Sequence, residues 1–310
     1  MILTVTLNPA IDRTIYINQF RPGQVNLVES QVQDPGGKGI NVSRFMQING
    51  EETLAMGFLA GDEGKWIEAQ CQKKGISTHF VFIEGKTRTN QKLVSLDTGA
   101  TTDLNEEGPT LSEDDLNRFL SDYTDHLKEG MWVVIAGSLP KGVPANFYTR
   151  LVKEAKSRGA KVALDINGQL LKANPDAVPN FIKPNLEELE SLIGRSLSTH
   201  KEIQEAVTPM LKKGIERICV SLGAEGSLFI DAQQMFHVKV PRVTVLSTVG
   251  AGDSMVSGYV YGQEKGLALT ECIQIAAAAS VIAVTKEGTN FANNAEILKV
   301  LPHLQIVKTK

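Results

Sequence analysis

Residues 247–258 read STVGAGDSMVSG, which gathers two glycines, an aspartate and a serine into positions 250–254. Glycine admits backbone dihedrals that let consecutive N–H groups point the same way, and a helix starting here adds its positive end. Gly250, Ala251 and Gly252 would then form an anion site. Asp253, in the first turn, would stay ionised and could accept a proton from a hydroxyl. A plain strand-to-helix turn, with Asp253 merely opening the helix, fits these residues equally well. A serine-hydrolase turn fits less well. Gly252-Asp253-Ser254-Met255-Val256 lacks the closing glycine of G-x-S-x-G, and the next histidine is His303.

Four other stretches carry polar chemistry. In PGGKGINVSR (35–44), Gly37, Lys38 and Gly39 precede a helical pattern, so backbone donors again gather at a helix start. This is not a P-loop, because Lys38 is followed by Gly39 where that loop needs Ser or Thr. It reads either as a platform for a small substrate, with Lys38 and Asn41 facing it, or as a solvated turn. In KPNLEELE (183–190), Asn185 and Glu188 have the spacing of an N-cap and its N3 partner, so capping is the simpler reading beside phosphate or metal contact. SLGAEGSLFI (221–230) reads as a strand end at Ser221, a turn from Gly223 to Gly226 and a hairpin strand. TLNPAID (6–12) sets Asn8 and Asp12 just past the first strand, where α/β sheets bring ligands. Cys71, Cys219 and Cys272 form no C-x-x-C pair and the five histidines show no ligand spacing, so neither a disulfide nor a zinc site is expected. Reduced, buried thiols suit a cytoplasmic protein.

These stretches must be held by a large fold. With 310 residues, 42% of them hydrophobic and 22% charged, the chain has the length and composition of one α/β domain. A net charge of −3 gives no reason to expect nucleic acid or an anionic membrane as partner. The start, MILTVTLNP, is a poor signal peptide, and the apolar run near 275–284 is too short to span a bilayer. Short apolar runs at 2–7, 53–61, 131–138, 161–167, 181–185 and 217–223 suit strands buried on both faces. Amphipathic segments at 39–48, 63–74, 112–128, 144–158 and 199–213 alternate with them, and Ser112 with Asp115 marks a helix start. Around the opening stretch, 243–247 reads as a strand and 254–266 as a helix. The fold expected is a doubly wound, mostly parallel sheet flanked by helices. Segments of about 12–34 and 79–105 break the pattern and suggest a small antiparallel sheet inserted as a lid, with a hairpin turn at Asp97-Thr98-Gly99. No second domain, repeat or linker is evident across 1–310.

Taken together, the motifs resemble those of the ribokinase-like (PfkB) carbohydrate kinases. They run in family order: N-x-x-x-D at 8–12, G-G-K-G-x-N at 36–41, G-S-L-P at 137–140, K-P-N-x-x-E at 183–188, S-L-G-x-x-G at 221–226 and G-A-G-D at 250–253. The resemblance implies phosphoryl transfer from ATP, with Mg²⁺, to a sugar hydroxyl. It implies Asp253 as general base and Gly250, Ala251 and Gly252 as the anion hole. It also implies nucleotide-side contacts from Lys183, Asn185, Glu188, Ser221, Gly223 and Gly226, with Glu188 reaching the metal through water. Asp12, Gly37, Lys38 and Asn41 would contact the sugar.

TRTNQKL (87–93) and GQVNLV (23–28) are similar to the 1-phosphofructokinase group of the phosphosugar branch. By that likeness Arg88 would hold the phosphate already on the sugar, with help from Lys92 and Asn26. Tagatose-6-phosphate kinases share most of these motifs; Lys92 and TTDLN (101–105) lean toward 1-phosphofructokinase. A homodimer through the lid sheet is implied by the family alone. A non-catalytic sugar-phosphate-binding regulator is the alternative from another class. The branch usually continues Asp-Ser/Thr-Ser-Gly after the 161–165 strand, whereas this chain has Asp165-Ile166-Asn167-Gly168, which leaves the reaction type intact and fine specificity open.

Overall fold

The computed structural model describes residues 1–309. In chain order the first elements are β1 (Ile2–Thr6), β2 (Ala10–Ile17), β3 (Val28–Gly36), α1 (Lys38–Ile48), β4 (Thr53–Ala60), α2 (Gly61–Lys73) and β5 (Ser77–Ile83). Next come β6 (Arg88–Ser95), β7 (Thr101–Asn105), α3 (Glu113–His126), β8 (Trp132–Ala136), α4 (Phe147–Ser157), β9 (Lys161–Asp165), α5 (Gly168–Ala173), β10 (Phe181–Ile182) and α6 (Leu186–Ile193). The chain continues through α7 (His200–Lys212), β11 (Arg217–Ser221), β12 (Ser227–Ile230), β13 (Met235–Lys239), α8 (Ala251–Glu264), α9 (Leu269–Val284), α10 (Asn294–Val300) and β14 (Gln305–Thr309).

The large sheet has the order β14-β13-β12-β11-β10-β9-β8-β1-β4-β5, parallel from β5 to β11 and antiparallel beyond. Alternate side chains of its strands feed two cores. Leu3, Val5, Val133 and Ile135 pack with Phe119 of α3, Leu151 of α4 and Val207 of α7. Ile2, Trp132 and Val134 pack with Phe45 of α1, Val256 and Tyr259 of α8, and Ala276 of α9. Burial on both faces is why the strands read as unbroken apolar runs. Helix α3 begins with the expected box: the Ser112 hydroxyl accepts from the Asp115 N–H and the Asp115 carboxylate accepts from the Ser112 N–H. From β1 the chain winds outward through β4 and β5, then returns to β8 on the other side of β1. The reversal leaves a crevice at the carboxyl ends of the strands, the place where such sheets bind ligands.

A second sheet has the order β3-β2-β6-β7. Its outer pairings are antiparallel and its central β2–β6 pairing is parallel. The β6–β7 hairpin turns at Asp97-Thr98-Gly99, where the Gly99 N–H donates to the Ser95 carbonyl at 2.7 Å. Two sequence expectations are corrected. Residues 79–85, read as part of the inserted sheet, lie mainly in β5, which pairs in parallel with β4 in the large sheet. Residues 243–247, read as a strand, form none, and Val243, Val245 and Leu246 are exposed. Its Leu246 and Ser247 N–H groups both turn to the Val284 carbonyl at the end of α9, at 2.8 and 3.3 Å, so the run joins no strand ladder. No helix is long and apolar enough to cross a membrane among the described residues.

Candidate active site at the head of two helices

Helix α8 begins three residues earlier than the sequence suggested, so Gly250 is its N-cap, with φ 78° in the left-handed region. That conformation is easy for glycine and strained for most other residues. The Ala251 N–H turns toward the Thr248 carbonyl (3.4 Å), whereas the Gly250, Gly252 and Asp253 N–H groups meet no backbone acceptor. Among the free donors at the positive end of the helix, the Asp253 N–H therefore takes the place expected of Ala251. Asp253 is buried, and one of its oxygens accepts from the Asn41 amide at 2.8 Å. Burial pushes its carboxyl up to about 6; Lys38 opposes the shift and Asp165 reinforces it. Ser254 is fully buried inside the helix, which removes the hydrolase reading.

The first turn of α1 delivers Lys38 and Asn41 to the same place. The Lys38 ammonium sits 3.1 Å from one oxygen of Asp165 and the Lys183 ammonium 3.9 Å from the other. Burial alone would lower Lys38, but Asp165 and Asp253 hold it protonated. Burial likewise favours a neutral Asp165, and Lys38 and Lys183 outweigh it, keeping the carboxylate ionised. Lys183 also lies close behind Gly252, where an added Cβ would come within 3.1 Å of its ammonium. Two cations thus flank the head of α8.

A cavity of about 470 Å³ opens over these groups, and its walls include Asp12, Gly37, Lys38, Asn41, Arg88, Lys183, Asn185, Glu188, Gly250, Gly252 and Asp253. Asp12, on lid strand β2, accepts from Asn90 at 3.0 Å, and its carboxylate occupies space that a side chain at Gly36 would fill. Arg88 opens β6. Its Nε and Nη2 donate to the Asn8 carbonyl at 3.2 and 2.9 Å, and its Nη1 to the Glu106 carbonyl at 3.2 Å. Neutral carbonyls fix the guanidinium without cancelling its charge, so it remains available to an anion.

Two expected residues do not line this cavity directly. Lys92 lies 3.6 Å from Asp103 on the neighbouring strand and lines an adjoining pocket of about 230 Å³ that shares Asp12, Asn90 and Val249 with the cleft. Asn26 turns back on its own loop, bonding the backbone of Arg21 and Gln24.

A second cavity, of about 570 Å³, adjoins the first at Asn185 and Gly252. Ser221, Gly223, Gly226 and Ala251 line it, with Val240, Val243, Val245, Met255 and Val281 making a mostly apolar slot. Such a slot suits a planar base, with the polar seam at Asn185 and Gly252 left for phosphates. Lys183 and Glu188 border only the first cavity. Asn185 and Glu188 form a complete capping box on α6, at 2.7 and 2.9 Å. One oxygen of Glu188 is taken by that box, and the half-exposed carboxylate still borders the cavity. No cluster of three or more potential metal ligands occurs among the described residues. The carboxylate edge of Glu188 is the kind of partner that Mg²⁺ takes, since that ion keeps most of its waters and uses one or two carboxylates plus substrate phosphates.

Several wall residues carried no assigned role in the sequence reading. Asn8 and Ser138 are joined by a 3.3 Å hydrogen bond beside Arg88, and Asn90 holds Asp12. Asp165 holds both lysines. Asn167 borders the first cavity and caps α5, accepting from the Leu170 N–H at 2.9 Å. It does here the capping work a small hydroxyl residue would do. Buried Oδ1 atoms of Asn8, Asn41 and Asn90, all on the wall of the cavity, have no hydrogen-bond partner among the described residues. Such orphans concentrated around one cavity point to a polar ligand.

Residues 5–296 match the family described as pfkB family carbohydrate kinase. A Xanthomonas campestris protein named 1-phosphofructokinase is 36% identical over 313 residues, covering 97% of this chain and 98% of the relative. The Bacillus subtilis protein of the same name is 34% identical over 275 residues, 89% of each chain. Among solved structures, Escherichia coli phosphofructokinase-2 in complex with fructose-6-phosphate has a TM-score of 0.90 at 27% identity, covering 97% of this chain and 98% of that one.

Proposed function

This chain belongs to the pfkB family of carbohydrate kinases and is a sugar-phosphate kinase, and from that premise we propose that it converts fructose 1-phosphate and ATP into fructose 1,6-bisphosphate and ADP. The observation that carries the proposal is one cleft holding a half-buried Arg88, in no salt bridge among the described residues, on the lid side and the Asp253 carboxylate at the head of α8. Arg88 and Ser138 take the phosphate already on the sugar, and the planar fork of arginine suits that group. Asp12 and Asn90 hold ring hydroxyls. The free hydroxyl then lies toward Asp253.

Phosphoryl transfer asks for positioning and electrostatic stabilisation more than for covalent chemistry. The hydroxyl oxygen bonds to the terminal phosphorus of ATP, the bond from that phosphorus to the bridging oxygen breaks, and ADP leaves. Asp253 takes the hydroxyl proton. The free N–H groups at Gly250, Gly252 and Asp253, with the Lys38 and Lys183 ammoniums, stabilise charge on the transferring group. The base of ATP fits the apolar slot against Gly223 and Gly226. Glu188, beside Asn185, would hold Mg²⁺ through its waters, and the ion would neutralise phosphate charge.

Tagatose 6-phosphate stays the alternative acceptor. Lys92, which favoured fructose 1-phosphate in the sequence, lines the pocket that adjoins the cleft at Asp12 and Asn90, and the named relatives support the same preference. The apolar lid residues Val25, Leu27, Val28 and Val32 are exposed, which supports a homodimer through the lid. Three buried free cysteines support a cytoplasmic setting.

A coupled ADP-release assay with fructose 1-phosphate and Mg·ATP separates a kinase from a binding protein that has lost catalysis; no release sinks the proposal. Its pH profile is a further check. Asp253 accepts a proton only when ionised, so kcat/KM should fall on the acid side of about pH 6, after correction for the substrate phosphate's own titration nearby. A flat profile down to pH 5 would remove Asp253 as base.

A further inference from the structure

Arg44 is a buried arginine in α1, and neither the cleft nor the sequence motifs account for it. A buried guanidinium is costly to desolvate, and an apolar residue of similar volume often serves a core better. Two contacts explain its presence. Its Nη2 bonds Asp34 on β3 at 3.0 Å. Asp34 is the direct cross-strand partner of Asp12, so two carboxylates stand side by side at the root of the lid. Like charges so placed repel. Burial raises the Asp12 carboxyl, and Arg44 is among the groups that draw it back while Asp34 pushes it further.

The second contact is a stack: the Arg44 guanidinium carbon lies 5.2 Å from the centre of the Phe291 ring. Phe291 and Thr289 stand directly behind Gly250, within 3.8 and 3.3 Å of where a Cβ would be. Asn49, the C-cap of the same helix, ties this segment down by donating to the Ala292 carbonyl at 3.0 Å.

We propose that Arg44 is a positioning residue that clamps the lid root, at Asp34 opposite Asp12, to α1 and to the Phe291 segment backing the anion-binding turn. The inference rests on the phosphosugar-kinase reading of the cleft. One guanidinium thereby sets two things. Through Asp34 it fixes the lid strand that carries Asp12, and through Phe291 it fixes the approach of Gly250. The nucleotide slot touches neither partner.

Steady-state kinetics of Arg44→Met, Arg44→Lys, Asp34→Asn and Phe291→Leu test the clamp, with thermal melts as control. Arg44→Met should raise KM for the sugar phosphate on the order of tenfold and lower kcat, with KM for ATP unchanged. Arg44→Lys keeps the charge toward Asp34 and loses the flat face, so it should recover KM but not kcat. Asp34→Asn should raise KM alone and add nothing in the Arg44→Met background; Phe291→Leu should lower kcat alone. The two latter variants carry the test if Arg44→Met fails to fold. A parallel rise in both KM values, or Asp34 and Arg44 effects that simply multiply, overturns the clamp. A wild type that phosphorylates no sugar phosphate overturns the functional reading instead.

Discussion

Asp253→Asn is expected to lower kcat by about 10²–10⁴-fold, the usual worth of a general base, while KM for the sugar phosphate stays within about threefold. The substitution is a clean one here. An asparagine carbonyl can still accept from the Asn41 amide, so the 2.8 Å contact and the head of α8 survive. The proton-accepting function is lost, while Asp165 still holds Lys38 protonated. Stability should move in the opposite direction from activity. The folded-state carboxyl sits at about 6, above its ordinary 3.8, so burying the ionised form is unfavourable. The stability Asp253 contributes is greatest below its unfolded value and is lost as pH rises through about 6. The variant should therefore gain melting temperature over wild type at pH 8 and much less at pH 5. Full turnover in the variant, or a loss of melting temperature at pH 8, would contradict the assignment.

Arg88→Lys should cost about 10²–10³-fold in kcat/KM for the phosphorylated sugar and almost nothing for the same sugar without its phosphate. The guanidinium is held at three donor atoms by the Asn8 and Glu106 carbonyls, which orient its remaining donors toward the cleft. Lysine is a point charge on a flexible stem and cannot keep both the anchors and a bidentate grip. Comparing both acceptors in both proteins isolates the phosphate contact. Equal losses on both would mean that Arg88 supports the lid and does not read the phosphate.

Much of this was legible before any coordinates, for identifiable reasons. Parallel strands covered on both faces leave unbroken apolar runs, and capped helices leave a paired signature such as Ser112 with Asp115. The six ordered motifs all fall at the carboxyl ends of strands or the heads of helices, so local spacing already reflects the crevice. Other parts were hidden because their signal is long-range. Helix α9, LTECIQIAAAASVIAV, is buried nearly all round, so it has no amphipathic period to detect. Residues 243–247 have strand-like composition, but a strand needs a partner the sequence does not announce. Lys92 has the right chemistry at the right spacing, and only its cross-strand neighbour Asp103 shows that it is occupied. Asp165 keeps the Asp of the family pattern ahead of the departure at Ile166 and Asn167, but that it holds Lys38 and Lys183 together shows only in the fold. The role of Arg44 depends on residues 10 and 247 positions away in the chain, Asp34 and Phe291.

The central claim is that the cleft selects an already phosphorylated ketohexose and phosphorylates it. The most direct test measures kcat/KM by ADP release for fructose 1-phosphate, tagatose 6-phosphate, fructose 6-phosphate and free fructose under one set of conditions. Fructose 1-phosphate should lead, and free fructose should trail every phosphosugar by at least about 10²-fold, the affinity of one well-made phosphate grip. Free fructose matching or exceeding the phosphosugars would contradict the claim.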